Sequence, residues 1–226
     1  MIKQAHRPSD LFRYTEKSQQ MNPVLTAVLE IVALFGIFVA VPLIVMLDTN
    51  VLGDAMSEDS LTERLQVVLI VISTLIFATG TALHNGLRGY LGAVATLFAC
   101  MAIRENDSVF DKVYHGFWLI PALVALAVGA VFVWKNRRGA GAGFVRHLSS
   151  HSGAFVVLGV LILIVFSRLF GTGAVWEGVM GDAYDPAVKA AVQEGLELLG
   201  YFLVTYGSVL SLIAGFGTPV QTQTQP

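Results

Sequence analysis

The chain of 226 residues is 55% hydrophobic and only 13% charged, with a formal net charge of −2 and a mean hydropathy of +0.69. That composition excludes an ordinary soluble domain and points to a polytopic membrane protein, with the lipid bilayer as its partner. The missing basic surplus excludes nucleic acid, and the single cysteine, Cys100, lies in an apolar run, where it reads as a packing residue.

Residues 1–22 carry Lys3, Arg7, Arg13 and Lys17 against Asp10 and Glu16 and are expected to form a cytoplasmic lead-in. Asn22 and Pro23 read as N-cap and first helical position, because proline lacks the N–H that goes unpaired there anyway. The apolar run that follows, 23–47, is too long for a signal-peptide core and has no small-x-small cleavage site, so it is expected to be a retained span. About 25 residues at ~1.5 Å each exceed a hydrocarbon thickness of ~30 Å.

The stretch from Asp48 to Asp59 is polar and acidic, and Ser60-Leu-Thr-Glu63 fits a capping box opening a second span over 61–84. Asn85-Gly86 marks a turn, and a short third span is predicted over 88–104. The fourth, over 109–135, is expected to bend at Pro121. Its Trp118 and Trp134 are separated by about 24 Å along a helix, the spacing of an aromatic belt. Lys135, Arg137 and Arg138 precede a glycine-rich flexible loop, Gly139 to Gly143. A fifth span covers 152–171, and Asp185-Pro186 opens a sixth over 186–215 that outruns the bilayer core. The tail 217–226 is polar.

These runs predict an all-α fold: one domain over 23–216, a bundle of six transmembrane helices with both termini cytoplasmic. Arg88, Lys135, Arg137, Arg138 and Arg146 fall on one side and the acidic segments on the other, and the positive-inside rule assigns the basic side to the cytoplasm. A bacterial inner membrane is the expected location.

The densest set of ionisable groups is the segment Arg104 to His115 between the third and fourth spans. On the same side lie Arg168, Glu194 and Glu197. Asp111 and His115 share a face if residues 109 onward are helical, and so do Glu194 and Glu197. These four residues are the ion- or proton-binding candidates, with Arg104, Glu105, Asp107, Arg168 and Tyr201 as supporting partners. In the last helix Glu194, Glu197, Tyr201, Thr205 and Ser208 follow steps of three and four, a polar stripe suited to an interior face.

Ionisable groups at membrane depth are costly and usually face a bundle interior or a watery cavity. The first reading is therefore proton- or cation-linked transport. A second is an intramembrane hydrolase in which Asp111, His115, Glu194 and Glu197 hold a divalent metal, the one cofactor the residue types suggest. A third is an accessory subunit of a membrane complex, or a homo-oligomer, whose polar residues only lock helices together. His84 falls on the opposite side, and His147 with His151 reads as a pair facing the headgroups.

No Walker A, G-x-S-x-G, HExxH, CxxC or CxxCH sequence occurs. Thr81-Ala-Leu-His84 is loosely similar to an element of the alkaline ceramidase and progestin/adiponectin-receptor superfamily. That group's late HxxxH is replaced here by Glu194-x-x-Glu197, so the likeness is not counted as membership.

Overall fold

In a computed structural model that describes residues 22–52 and 60–217, every regular element is helical. The lead-in at 1–21, the acidic residues 53–59 and the tail from 218 lie outside the described residues. The chain forms two compact units, Met1–Ala40 and Val41–Pro226. The first holds most of helix α1 (Pro23–Leu47). Asn22 caps it as expected, its Oδ1 accepting the Val24 N–H at 2.9 Å.

The second unit is built from α2 (Leu61–Leu83), α3 (Arg88–Glu105), α4 (Leu119–Lys135), α5 (Ala140–Leu148), α6 (His151–Phe170), α7 (Gly173–Met180) and α8 (Pro186–Ile213). Its core is Ile70 and Phe77 of α2, Leu91 and Phe98 of α3, Val156 and Leu163 of α6, and Tyr201 and Val204 of α8. Helices α6 and α8 meet where both lack a side chain: a Cβ on Gly159 would stand 2.6 Å from the Gly200 carbonyl oxygen. Small residues let helix backbones approach that closely when lipid supplies no hydrophobic drive.

Five helical stretches are long and apolar enough to cross a membrane: Pro23–Val51, Leu61–Leu83, Asn85–Glu105, His151–Phe170 and Pro186–Ile213. A sixth exists if α4 and α5 count as one span, although they are bent from each other by 106°. The helix starts obey the sequence chemistry. Ser60 Oγ accepts the Glu63 N–H at 3.2 Å, and Asp185 accepts the Ala187 N–H at 2.9 Å ahead of Pro186. Asp48 adds a cap that spacing does not reveal: its carboxylate accepts the backbone N–H groups of Leu61 at 3.1 Å and Thr62 at 2.7 Å, and the Thr62 hydroxyl as well.

Three expectations are corrected and one is refined. The fourth helix starts at Leu119, because the chain runs through turns between Phe110 and Leu119. Pro121 therefore sits in the first turn of α4, where no N–H is needed and a proline is accommodated without a kink. The glycine-rich segment after Gly139 is helical as α5, with Gly139 itself at φ 84° ending the preceding turn. The fifth span contains a π-helical turn, Ile162–Phe166, which puts Ser167 and Arg168 out of phase with the helix before it.

The ends of the second unit differ in charge. One is formed by the end of α4, the starts of α3 and α6, and α5; among the described residues it carries His84, Arg88, Lys135, Arg137, Arg138, Arg146, His147 and His151 and no carboxylate. The other gathers Asp48, Glu105, Asp107, Asp111, Glu194 and Glu197.

Candidate functional site

At the acidic end, α3 finishes with Arg104-Glu105 and the outer third of α8 carries Glu194 and Glu197, one helical turn apart. Glu105 lies within electrostatic reach of Arg104, Glu197 and Arg168, and its side chain meets the Tyr201 hydroxyl. Glu194 is likewise reached by Glu197, Glu105 and Arg104. Three carboxylates and two guanidinium groups among the described residues thus share one neighbourhood, a formal charge of −1 when all five are ionised.

Burial makes that charge costly. Glu197 is 6% exposed and the Glu105 side chain 9%, whereas Arg104 is 43% exposed and donates from Nη1 to Glu105 Oε1 at 3.3 Å. Between α3, α6 and α8 lies a cavity of about 190 Å³ lined by Arg104, Glu105, Arg168, Glu197 and Tyr201 on its polar side and by Leu97, Met101, Leu163 and Ile164 on its apolar side. The π-helical turn of α6 immediately precedes Arg168, and such turns recur where a helix must present a side chain out of register.

Gln66, fully buried on α2, is the residue that sequence reading passed over. Its Nε2 donates to Glu194 Oε2 at 3.0 Å and to the Glu194 carbonyl at 3.3 Å. Its Oε1 has no donor among the described residues. The available signal was a lone amide inside the run Leu65 to Ile72, since an uncharged polar group at that depth also needs a partner. Gln193 donates to Glu197 Oε1 at 3.2 Å.

The polar stripe of α8 faces inward. Tyr201 and Ser208 are buried, and Thr205 Oγ1 lies 3.1 Å from Ser73 Oγ and donates to the Leu69 carbonyl at 3.0 Å, tying α8 to α2.

Asp111 and His115 are held elsewhere. His115 Nδ1 is 2.8 Å from Asp111 Oδ2, on a turn instead of the expected helix, and the His115 side chain is fully exposed. Asp111 Oδ1 accepts the N–H of Gly116, whose φ of 83° closes that turn. No interaction joins either residue to Glu194 or Glu197 among the described residues. Asp107 opens a short helix, Asp107–Phe110, and its carbonyl accepts the Asp111 N–H. Among the described residues no group of three or more His, Cys, Asp and Glu side chains is placed to hold a metal ion.

At the basic end, His147 does not face headgroups: it is 1% exposed. Its Nδ1 is 2.7 Å from the Tyr90 hydroxyl and its Nε2 is 2.8 Å from Ser211 Oγ. Ser211 donates its own proton to the Gly207 carbonyl at 2.7 Å, so its oxygen accepts from Nε2–H and Nδ1 accepts from Tyr90. Both ring nitrogens are satisfied by neutral partners, and Phe77 stacks edge-on at 5.6 Å. His151 is separate, beyond a break at Ser149-Ser150, and packs edge-on against Phe155.

No protein-family model, no curated protein and no solved structure matches this chain.

Proposed function

We propose that the protein is a small transport or ion-handling protein in which the Glu105, Glu194 and Glu197 cluster takes up and passes a proton. The observation that carries this reading is the uncompensated carboxylate beside a cavity, at the end of helices long and apolar enough to cross a bilayer. A buried negative charge is stabilised only by a proton, a cation or a paired group. Arg104 pairs with Glu105 and Arg168 borders the same cavity, so two cations face three carboxylates, and the remaining carboxylate is left to exchange its counter-charge. With the basic end in the cytoplasm, as the positive-inside rule directs, the cluster lies at the external end of the bundle.

Gln66 suits such an exchange. With Glu194 ionised, the amide donates through Nε2, as found. With Glu194 protonated, the same amide turned over accepts the new O–H on Oε1. Gln66 can thus follow the state of the carboxylate without a backbone movement.

The test is flux across proteoliposomes under an imposed proton gradient. Glu197→Gln removes one ionisable group while keeping its shape and the contact from Gln193. We expect flux to fall by at least about tenfold, the effect of losing ~1.4 kcal/mol of favourable binding. Flux unchanged in Glu197→Gln and in Glu105→Gln would remove the cluster from the mechanism.

A further inference from the structure

Two apolar grooves flank the contact between α3 and α4, and only one contains a charged side chain. The larger, about 750 Å³, opens between α2, α3 and α4 past Thr74, Ala78, Phe117 and Val128, and no ionisable residue lines it. The smaller, about 500 Å³, runs along the opposite side of the same contact, past Leu97 and Cys100 of α3 and Leu126 and Ala130 of α4, and ends at Trp134 and Arg137.

Its polar wall atoms are already engaged. Thr96 Oγ1 donates to the Gly92 carbonyl at 2.7 Å, and the Cys100 thiol to the Ala122 carbonyl at 3.6 Å. An occupant along the groove therefore meets hydrocarbon. At its mouth, the Arg137 guanidinium carbon stands 4.6 Å from the Trp134 ring centroid. Lys135 and Arg138 flank it, and among the described residues no carboxylate pairs with any of the three.

Length and charge together specify the occupant. From Leu126 to the helix end at Lys135 a rise of ~1.5 Å per residue gives about 14 Å, close to the depth of one leaflet of a ~30 Å hydrocarbon core, and Arg137 follows just beyond the helix. The volume is within the range of ~300–1,000 Å³ usual for small-molecule sites. Basic side chains at the cytoplasmic end of an interhelical groove attract anionic headgroups.

We infer that this groove binds one anionic glycerophospholipid, an acyl chain lying between α3 and α4 and the headgroup phosphate on Arg137. The planar guanidinium, held over the Trp134 face, offers paired N–H donors to two phosphate oxygens. Trp134 itself sits where an amphipathic ring marks the boundary between headgroup and chain. Its charged mouth lies toward the opposite end of α3 from the carboxylate cluster, and Leu97 borders both the groove and the cluster's cavity.

Cys100 makes the inference testable in the full chain, because it is the only cysteine and it lines the groove. The purified protein in neutral detergent is titrated with phosphatidylglycerol or with phosphatidylcholine of the same acyl chains. Native mass spectrometry counts the retained lipid, and a lipid-soluble maleimide reports the alkylation rate of Cys100. Phosphatidylglycerol is expected to bind about fivefold more tightly than phosphatidylcholine, the worth of one Arg–headgroup contact, and to slow alkylation in proportion. Arg137→Gln, an exposed position, should abolish the preference while leaving the melting temperature unchanged. Ala130→Phe, which fills the groove, should abolish protection by either lipid. Equal binding of the two lipids, a preference that survives in Arg137→Gln, or bound phosphatidylglycerol that leaves Cys100 equally reactive overturns the inference. So does a dimer mass with Cys100 protected in the absence of lipid.

Discussion

The two ends of the bundle bury polar groups in opposite ways. At the basic end His147 is enclosed by Tyr90, Ser211 and the ring of Phe77, both of its ring nitrogens have a neutral partner, and Phe216 packs its ring against both Phe77 and His84. At the acidic end the buried groups are carboxylates, their guanidinium partners are half-exposed or exposed, a cavity lies between them, and Gln66 keeps an acceptor with no donor among the described residues. A saturated network adds rigidity, whereas an unsaturated one beside space can change its protonation or its counter-ion. The same cost of burying polar groups is thus met by neutral partners at one end and, on the proposed reading, by an exchangeable proton at the other.

The largest expected effect that separates them is on stability. His147→Ala removes a ring from a dry core and leaves the Tyr90 hydroxyl and Ser211 without their partner, a loss of about 4 kcal/mol from cavity and orphaned polar groups together. Thermal or denaturant unfolding in detergent measures it. Flux per folded molecule should be kept. Flux lost with stability intact would break the comparison, because the basic end would then hold a working group and not a structural one.

Gln66→Leu is the intermediate case. It removes the donor to Glu194 at a fully buried position and should cost about 1–2 kcal/mol, less than His147→Ala because Leu refills the space. Its effect on flux should be the larger, since the amide bonds the Glu194 carboxylate directly from another helix. A stability loss like that of His147→Ala with unaltered flux would place Gln66 with the structural networks.

What sequence revealed follows from locality. The caps at Asn22, Ser60 and Asp185 depend on neighbours two or three residues away, and each was legible. So was the inward stripe of α8, because helical periodicity is a local property. Helix α5 was not: its glycines predict a flexible loop, and it is helical because Gly143 packs under Tyr90 and Leu87, residues more than fifty positions earlier. His147 and His151 suggested one helical face, and the Ser150 cap that starts a new helix between them divides the pair. The site was half legible. Glu194, Glu197, Glu105, Arg104, Arg168 and Tyr201 come together, but Gln66 required knowing that α2 packs on α8, and Asp111 with His115 required knowing that their segment turns.

That turn yields the smallest prediction and the sharpest contrast with the cluster. Asp111 and His115 have the residue types of a proton site, yet His115 is fully exposed, Asp111 Oδ2 faces it at 2.8 Å, and Asp111 Oδ1 already accepts the Gly116 N–H. An ion pair in water gains little from Coulomb attraction, because the solvent screens it and the side chains lose freedom. The double variant Asp111→Asn, His115→Gln keeps amide groups able to bond the turn, so neither melting temperature nor flux should move detectably. Flux that fell as far as in Glu197→Gln would mean that the ion reaches the cluster through this exposed pair, and the working end would then extend beyond the buried glutamates.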